Sequence, residues 1–447
     1  MTTHKAYVSY IIQTMTRKVA DAPAQEKVKS SNQSLVVSAI ENLVDQASKL
    51  HATNIHIEPR DRYIIVRYRI GNDLRVGTKL PLSEFEELVR SSKTLARLDP
   101  EETKRPQEGN FNLNVNGQQH NISLSTIPLL NGEKVLFSLH SAALSAPSLE
   151  GLGYWGDSLE TVKLSLSKHS GLIVIASNGR GANAMTLLCI AHYLNNPALS
   201  VGSIEDPIIY SIPHVTQMEI SSHGPTYTQA MQRLVNQGAN ALLLSNLPDR
   251  RSASAAMRQA KKILVCASIN SNSALSALRQ FNKIGSSPEI TMSNFNLVVG
   301  QTLVKKLCVS CRESFMPSAA QLKQMQKLVS SFSFSKLNKL EALASEAGLG
   351  SDLKNLGTTK TSVQRLWRAS KRGCPECEHS GYFGYIMTTE TVDMTSPSIK
   401  SQIIKPLALE QLKTLAVKSG TIPQPTDGLI KCARGLIDFN DVVNLTT

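Results

Sequence analysis

The sequence predicts a mixed α/β protein, with an open and mostly parallel sheet flanked by helices and a smaller α+β domain ahead of it. Three observations predict it. Short apolar runs alternate with helical periodicity from residue 155 to about 306. The preceding stretch is rich in β-branched and aromatic residues and carries an Asn116-Gly117 turn signal. Two Cys-x2-Cys pairs then punctuate the chain at 308/311 and 374/377.

Residues 1–33 read as an N-terminal tail, with an apolar start at 7–12 and a polar stretch at 20–33 that is short of aromatics. A helix pattern follows, because Val36, Ile40, Leu43, Val44, Ala47 and Leu50 recur at three and four. Ser34 is the expected N-cap. Segments 54–58 and 63–70 are β-rich, and Tyr68 and Ile70 alternate with Arg67 and Arg69. Asn116-Gly117 separates strands at 111–115 and 118–125, and 134–139 reads as another strand. Residues 34–140 thus form one α+β domain, and 141–150 has linker composition.

From 151 to 306 the strand-like runs are 172–176, 199–204, 241–244 and 263–267. Helical windows at 182–194, 226–237 and 250–260 lie between them. This alternation is what a parallel sheet with helices on both faces requires. Residues 307–391 form a cysteine-bearing module with a long Lys- and Ser-rich insert, and 392–447 a helical, then turn-rich, C-terminal region.

The chain has 447 residues, 41% of them apolar and 19% charged, which is ordinary for a globular protein of two or three domains. No apolar run approaches the roughly 18 residues that a membrane helix needs. The N-terminus lacks the ordered regions of a signal peptide. The expected location is therefore cytoplasmic, with peripheral membrane contact at most. The formal charge is +13, and residues 301–377 hold thirteen Lys/Arg against five Asp/Glu, a surplus of eight. A solvated basic surface explains this, and so would an acidic protein partner, anionic lipid or nucleic acid. Aromatic residues are only 5% and no nucleic-acid motif accompanies the charge, which argues against nucleic acid.

Cys308, Cys311, Cys374 and Cys377 supply four thiolates in two knuckles, which suits tetrahedral Zn2+. A redox Cys-x-x-Cys is the alternative, although one pair suffices for that. Cys189, Cys266 and Cys432 lie in apolar contexts and read as buried fillers.

Several segments together resemble the type II secretion and type IV pilus assembly ATPases. They are TNIHIEPR (53–60), VRYRI (66–70), RPQEG (105–109), STIPLLNGEKV (125–135), SIEDPIIY (203–210), CPECEHSGYFG (374–384) and DGLIKCARG (427–435). The resemblance covers about 35–447. It implies a RecA-like P-loop core, a preceding PAS-like domain, a zinc knuckle, ring assembly and an inner-membrane platform partner.

The resemblance breaks at the residues that handle nucleotide. The phosphate loop falls on Ser177, Asn178, Gly179, Arg180, Gly181, Ala182, Asn183 and Ala184. Asn183 stands at the phosphate lysine, and Ala184 at the magnesium-binding hydroxyl. Gly179 and Gly181 remain, in a stretch that is equally a good turn. Asn246 replaces the water-orienting carboxylate, Asn240 the aspartate six residues earlier, and Asn270 a histidine. Ser123 and Ser138 stand where arginines are implied to reach the nucleotide. Glu205 and Asp206 are retained as vestigial catalytic acids or as a structural cap. These departures argue against ATP and Mg2+ as ligands. The expected function is a catalytically inactive, structural or regulatory subunit of a pilus or secretion motor. It would form a homo-oligomer or a mixed hexameric ring with an active paralogue. A working ATPase with Arg180 or another base in place of the lysine is the alternative.

Overall fold

The computed structural model describes residues 26–50, 52, 54–70, 73–141, 148–178, 180–206, 208, 212–220, 224–284, 294–329, 333–350, 365–377, 379–399 and 408–445. The chain divides into two compact units, Met1–Ala143 and Leu144–Thr447.

The first unit runs α1 (Glu26–Lys49), β1 (Asn54–Pro59), β2 (Ile64–Ile70), β3 (Asp73–Leu80), α2 (Phe85–Leu95), β4 (Gln107–Val115), β5 (Gln118–Leu129) and β6 (Gly132–Ser141). Its strands form one antiparallel sheet in the order β3-β2-β1-β6-β5-β4. Strand alternation sorts the side chains. Ile55, Ile57, Val66, Tyr68, Val135 and Phe137 join Ile40, Val44, Leu88 and Val89 in the core, so the helices cover one face only. Asn116 and Gly117 take φ of 52° and 81°, and Val115 pairs with Gln118, which makes the tight hairpin that the dipeptide signals. Helix α1 begins at Glu26, so Ser34 lies inside it and does not cap it. The Glu-, Lys-, Gln- and Ser-rich stretch before Ser34 contains no Pro or Gly, and nothing stops the helix from extending back through it. Residues 1–25, most of the expected tail, and 142–147 of the expected linker lie outside the described residues.

The second unit runs α3 (Gly156–Leu166), β7 (Gly171–Ser177), α4 (Arg180–Leu194), β8 (Val201–Glu205), β9 (Val215–Glu219), α5 (Tyr227–Asn236), β10 (Ala241–Leu244), α6 (Arg250–Gln259), β11 (Leu264–Asn270), α7 (Ala274–Ile284) and β12 (Phe295–Leu307). After these come β13 (Glu313–Phe315), α8 (Ala319–Leu328), α9 (Phe334–Glu346), β14 (Leu366–Arg368), β15 (Tyr382–Asp393), α10 (Leu409–Lys418), α11 (Gln424–Ala433) and α12 (Phe439–Asn444). The main sheet has the order β15-β12-β7-β11-β10-β8-β9, and only β15 runs antiparallel. Leu172, Val174, Leu242 and Leu244 enter one apolar cluster, and Ile173, Ile175 and Leu243 enter another. The sheet is therefore covered on both faces, which is why its strands read as continuous apolar runs. Thr226 and Asp249 close capping boxes on α5 and α6.

Strand β15 crosses the expected boundary at 391/392 and pairs with β12 along its length. The second cysteine pair is thus tied to the core sheet itself. Helices α8 and α9, within the 62-residue insert, contribute Met325 and Leu337 to one apolar cluster with Leu429 and Ile430 of α11 and Val442 of α12. No described helix is long and apolar enough to cross a membrane.

Candidate functional site

The carboxyl ends of adjacent parallel strands are where an open α/β sheet binds ligand. Here β7, β11, β10 and β8 are neighbours in that order. Ser177 ends β7 and Asn270 ends β11, directly opposite each other in the ladder. Asn246 follows β10, and Glu205 ends β8. The fold therefore brings Ser177, Glu205, Asn246 and Asn270 to one edge of the sheet. Asn240 is elsewhere. It precedes β10 at the opposite edge, where its Oδ1 accepts from the Ser200 N–H at 2.8 Å.

Only Asn178 and Gly179 separate β7 from α4, and Gly179 lies outside the described residues. Arg180, Gly181, Ala182, Asn183 and Ala184 are already helical. The motif G-x-x-x-x-G-K-[ST], counted back from Asn183, puts its two glycines on Ser177 and Ala182. Gly179 and Gly181 are thus out of register, a correction to reading them as retained loop glycines.

Ser177, Ala182 and Asn183 are buried. The reason is Gln301 on β12, which is 1% exposed. Its Oε1 accepts from Tyr154 Oη and Thr186 Oγ1, both at 2.8 Å. Its Nε2 donates to the Ala182 carbonyl at 3.2 Å and lies 3.5 Å from Asn183 Oδ1. The first turns of α4 are pinned to β12, and the position expected for the phosphate lysine carries a neutral amide turned toward the sheet. Sequence reasoning missed Gln301, because its partners lie 115 to 147 residues away.

Glu205 is half-buried, and its Oε1 accepts from Ser203 Oγ at 2.6 Å and Gln217 Nε2 at 2.9 Å. Asp206 is exposed. The Asn246 Oδ1 accepts the Leu247 N–H at 2.9 Å. Asp249 accepts the Ser252 N–H at 2.7 Å, and this bond holds its carboxyl below the ordinary value. In the first unit, Ser123 and Ser138 face each other across β5 and β6, and Asn54 Nδ2 donates to Ser138 Oγ at 2.9 Å.

The four cysteines converge. All four Sγ atoms lie within 4.8 Å of one another. Cys308–Cys374, Cys311–Cys377 and Cys374–Cys377 are each separated by 3.7 Å. A disulfide would need about 2.05 Å. A tetrahedron with metal–sulfur bonds of about 2.3 Å has edges of about 3.8 Å. The set can therefore hold one metal ion. Burial opposes charge on Cys377, but N–H groups of Cys374 and Gly381 donate to its sulfur and bring the thiol down to about 6. Cys189, Cys266 and Cys432 are buried, and burial pushes each thiol up to about 12.

The C-terminal motif makes a buried network. Asp427 accepts from Trp155 Nε1 at 2.6 Å, the Thr389 N–H at 2.8 Å and Lys431 Nζ at 2.5 Å. Lys431 also donates to the Met387 carbonyl at 2.7 Å. Arg434 donates to the Leu349 carbonyl and to Glu341, both at 2.7 Å. Burial pulls the Lys431 ammonium below its ordinary pKa, and Asp427 opposes this.

A mostly parallel sheet with its ligand edge at β7, β8, β10 and β11, joined to a four-cysteine knuckle, defines a RecA-like traffic ATPase fold. The chain belongs to the Type II/IV secretion system protein family, which it matches over residues 29–444. It is 24% identical over 437 residues to the type IV pilus assembly ATPase PilB of Thermus thermophilus, covering 97% of this chain and 46% of that one. It is 24% identical over 426 residues to the type II secretion system ATPase E of Vibrio cholerae, covering 94% of this chain and 77% of that one. The chain thus spans less than half of that pilus ATPase. Among solved structures, the Legionella pneumophila ATPase DotB superposes with a TM-score of 0.60 at 12% identity, covering 95% of this chain and 97% of that one. The pilus retraction motor PilT with bound ADP gives 0.59 at 15% identity, covering 91% and 96%. At these identities the two structures establish the fold alone.

Proposed function

We propose that this chain is a non-hydrolysing member of its family, acting as a structural or regulatory subunit of a type IV pilus or type II secretion motor. One observation carries the reading: the strand edge is assembled, but neutral residues occupy its chemical positions. Asn183 is buried against Gln301, and Asn246 and Asn270 follow β10 and end β11. A phosphate lysine contributes a charge-assisted contact of about 1.5–3 kcal/mol. A positioned acid or base contributes about 10²–10⁴ in rate. Losing both classes together leaves the site without the means to bind and cleave a triphosphate. The retained Glu205 is engaged by Ser203 and Gln217, which supports a structural role for it.

In this reading Zn2+ occupies Cys308, Cys311, Cys374 and Cys377, held for its structural effect. The protein works in the cytoplasm, in a homomeric ring or a mixed ring with an active paralogue, beside an inner-membrane platform protein. Magnesium-ATP titration by calorimetry, with phosphate release on the same sample, tests it. The expected result is no saturable magnesium-dependent binding and no turnover above background. Turnover would overturn the reading in favour of a working motor with a rearranged loop.

A further inference from the structure

The first unit has one sheet face that its helices leave uncovered. Strand alternation places Asn54, His56 and Glu58 of β1 on this face, because Ile55 and Ile57 point into the core. His56 stands opposite Arg67 of β2 on one side and Leu136 of β6 on the other. Asn54 stands opposite Arg69 and Ser138. Glu58 bonds Arg60 at 3.1 Å, Arg67 at 2.6 Å and Lys134 at 2.9 Å. Three cations thus meet one carboxylate, and Arg69 stands two positions along β2 from Arg67.

Two donors in this cluster are buried and unsatisfied. His56 is 9% exposed, and neither ring nitrogen has a hydrogen-bond partner among the described residues. The same holds for Nε of Arg67, whose Nη2 is committed to Glu58. Buried polar atoms without partners are rare, and each calls for an explanation such as a bound ion. These two stand on strand positions directly across from each other. Burial, followed by the fields of Lys134, Arg69 and Arg67, keeps the imidazole below its ordinary pKa, with Glu58 opposing. A neutral ring still offers one N–H donor.

We propose that this face binds a phosphate-class oxyanion between the His56 ring and the Arg67 Nε, with Arg69 and Lys134 adding positive charge. An oxyanion supplies acceptors to the two unpaired donors and neutralises the surplus charge. Ser138 stands on the same face, opposite Asn54 and not opposite His56. The proposal does not rest on the non-hydrolysing reading, because all its residues belong to the first unit.

The test uses the full chain labelled with 13C in its ten histidines. The His56 signal is assigned by its loss in His56→Gln. Inorganic phosphate is titrated at constant ionic strength. The expected result is a saturable shift of that signal, with the His56 pKa rising by about one unit on saturation, the equivalent of tenfold coupling. Arg67→Gln weakens phosphate about tenfold or more, as expected for a charge-assisted bond. Arg69→Gln provides a second variant that leaves the Glu58 cluster intact. Tighter binding of adenosine monophosphate than of inorganic phosphate assigns the site to a nucleotide's phosphate. Equal binding assigns it to the free anion. A linear drift that potassium chloride reproduces, or an equal response to acetate, overturns the proposal.

Discussion

Two regions of the second unit answer the family's pattern in opposite ways. The C-terminal motif, Asp427 to Gly435, matches it and forms a closed, buried network with every charge paired. The loop after β7 departs from it, and a different network, centred on Gln301, fills the gap. Both regions are well satisfied as structure. They differ in charge: Asp427, Lys431 and Arg434 line the first, and Asn183 and Ala184 stand in the second. On the proposed non-hydrolysing reading, a buried hydrogen-bond network outlasts the nucleotide chemistry, since holding a fold needs paired partners and hydrolysis needs unpaired charge aimed at substrate.

Three experiments sharpen or break this contrast. The largest effect belongs to the cysteines. Apparent binding free energies of structural zinc reach about 10–16 kcal/mol. Elemental analysis of the purified protein is expected to find one zinc per chain, and Cys374→Ser to abolish it and melt the knuckle. Unchanged zinc in that variant would remove the metal assignment.

The next effect is at Asp427. Asp427→Ala leaves Lys431 buried without its counter-charge, at an expected cost of about 3–5 kcal/mol in urea unfolding. Asp427→Asn with Lys431→Met should recover part of that loss, because the amide oxygen can still accept from Trp155 or Thr389 and no buried cation is left unpaired. A cost no greater than that of an exposed ion pair, about 0–1 kcal/mol, would mean that the network is not what holds α11.

The smallest effect is pH-dependent. Asp441 has a carboxyl raised to about 6 by burial and by repulsion from Asp438, with Lys305 opposing. Between the unfolded value of 3.8 and about 6, the folded state holds this proton and the unfolded state does not. Stability from this group therefore falls as pH rises through that window. Asp441→Asn is expected to flatten the slope of melting temperature against pH there and to raise the midpoint at neutral pH. An unchanged slope would place the titration elsewhere.

Much of this was legible in the amino-acid order. The apolar runs at 172–176 and 241–244 lie on β7 and β10, because strands buried on both faces carry no polar interruption. Asn116-Gly117 makes its turn because both residues accept positive φ. The cysteine spacing anticipated the cluster, since a knuckle is set by local geometry. The resemblance of the sequence to the family also singled out Asn183, Asn246 and Asn270. The tertiary structure alone decided the rest. Pairing of β12 with β15 tied the cysteine module to the core sheet. Asn240 went to the opposite edge from Asn246 because strand direction separates two ends only six residues apart. Gln301 reached Tyr154 and Thr186, and Asp427 reached Trp155, across more than a hundred residues of chain. The unpartnered donors of His56 and Arg67 emerged only when β1 and β2 were laid in register. Local propensity and spacing act over a few residues and can be read in one dimension. Hydrogen-bond satisfaction in a core depends on which distant side chains the fold brings within about 3 Å, and only the folded chain fixes that.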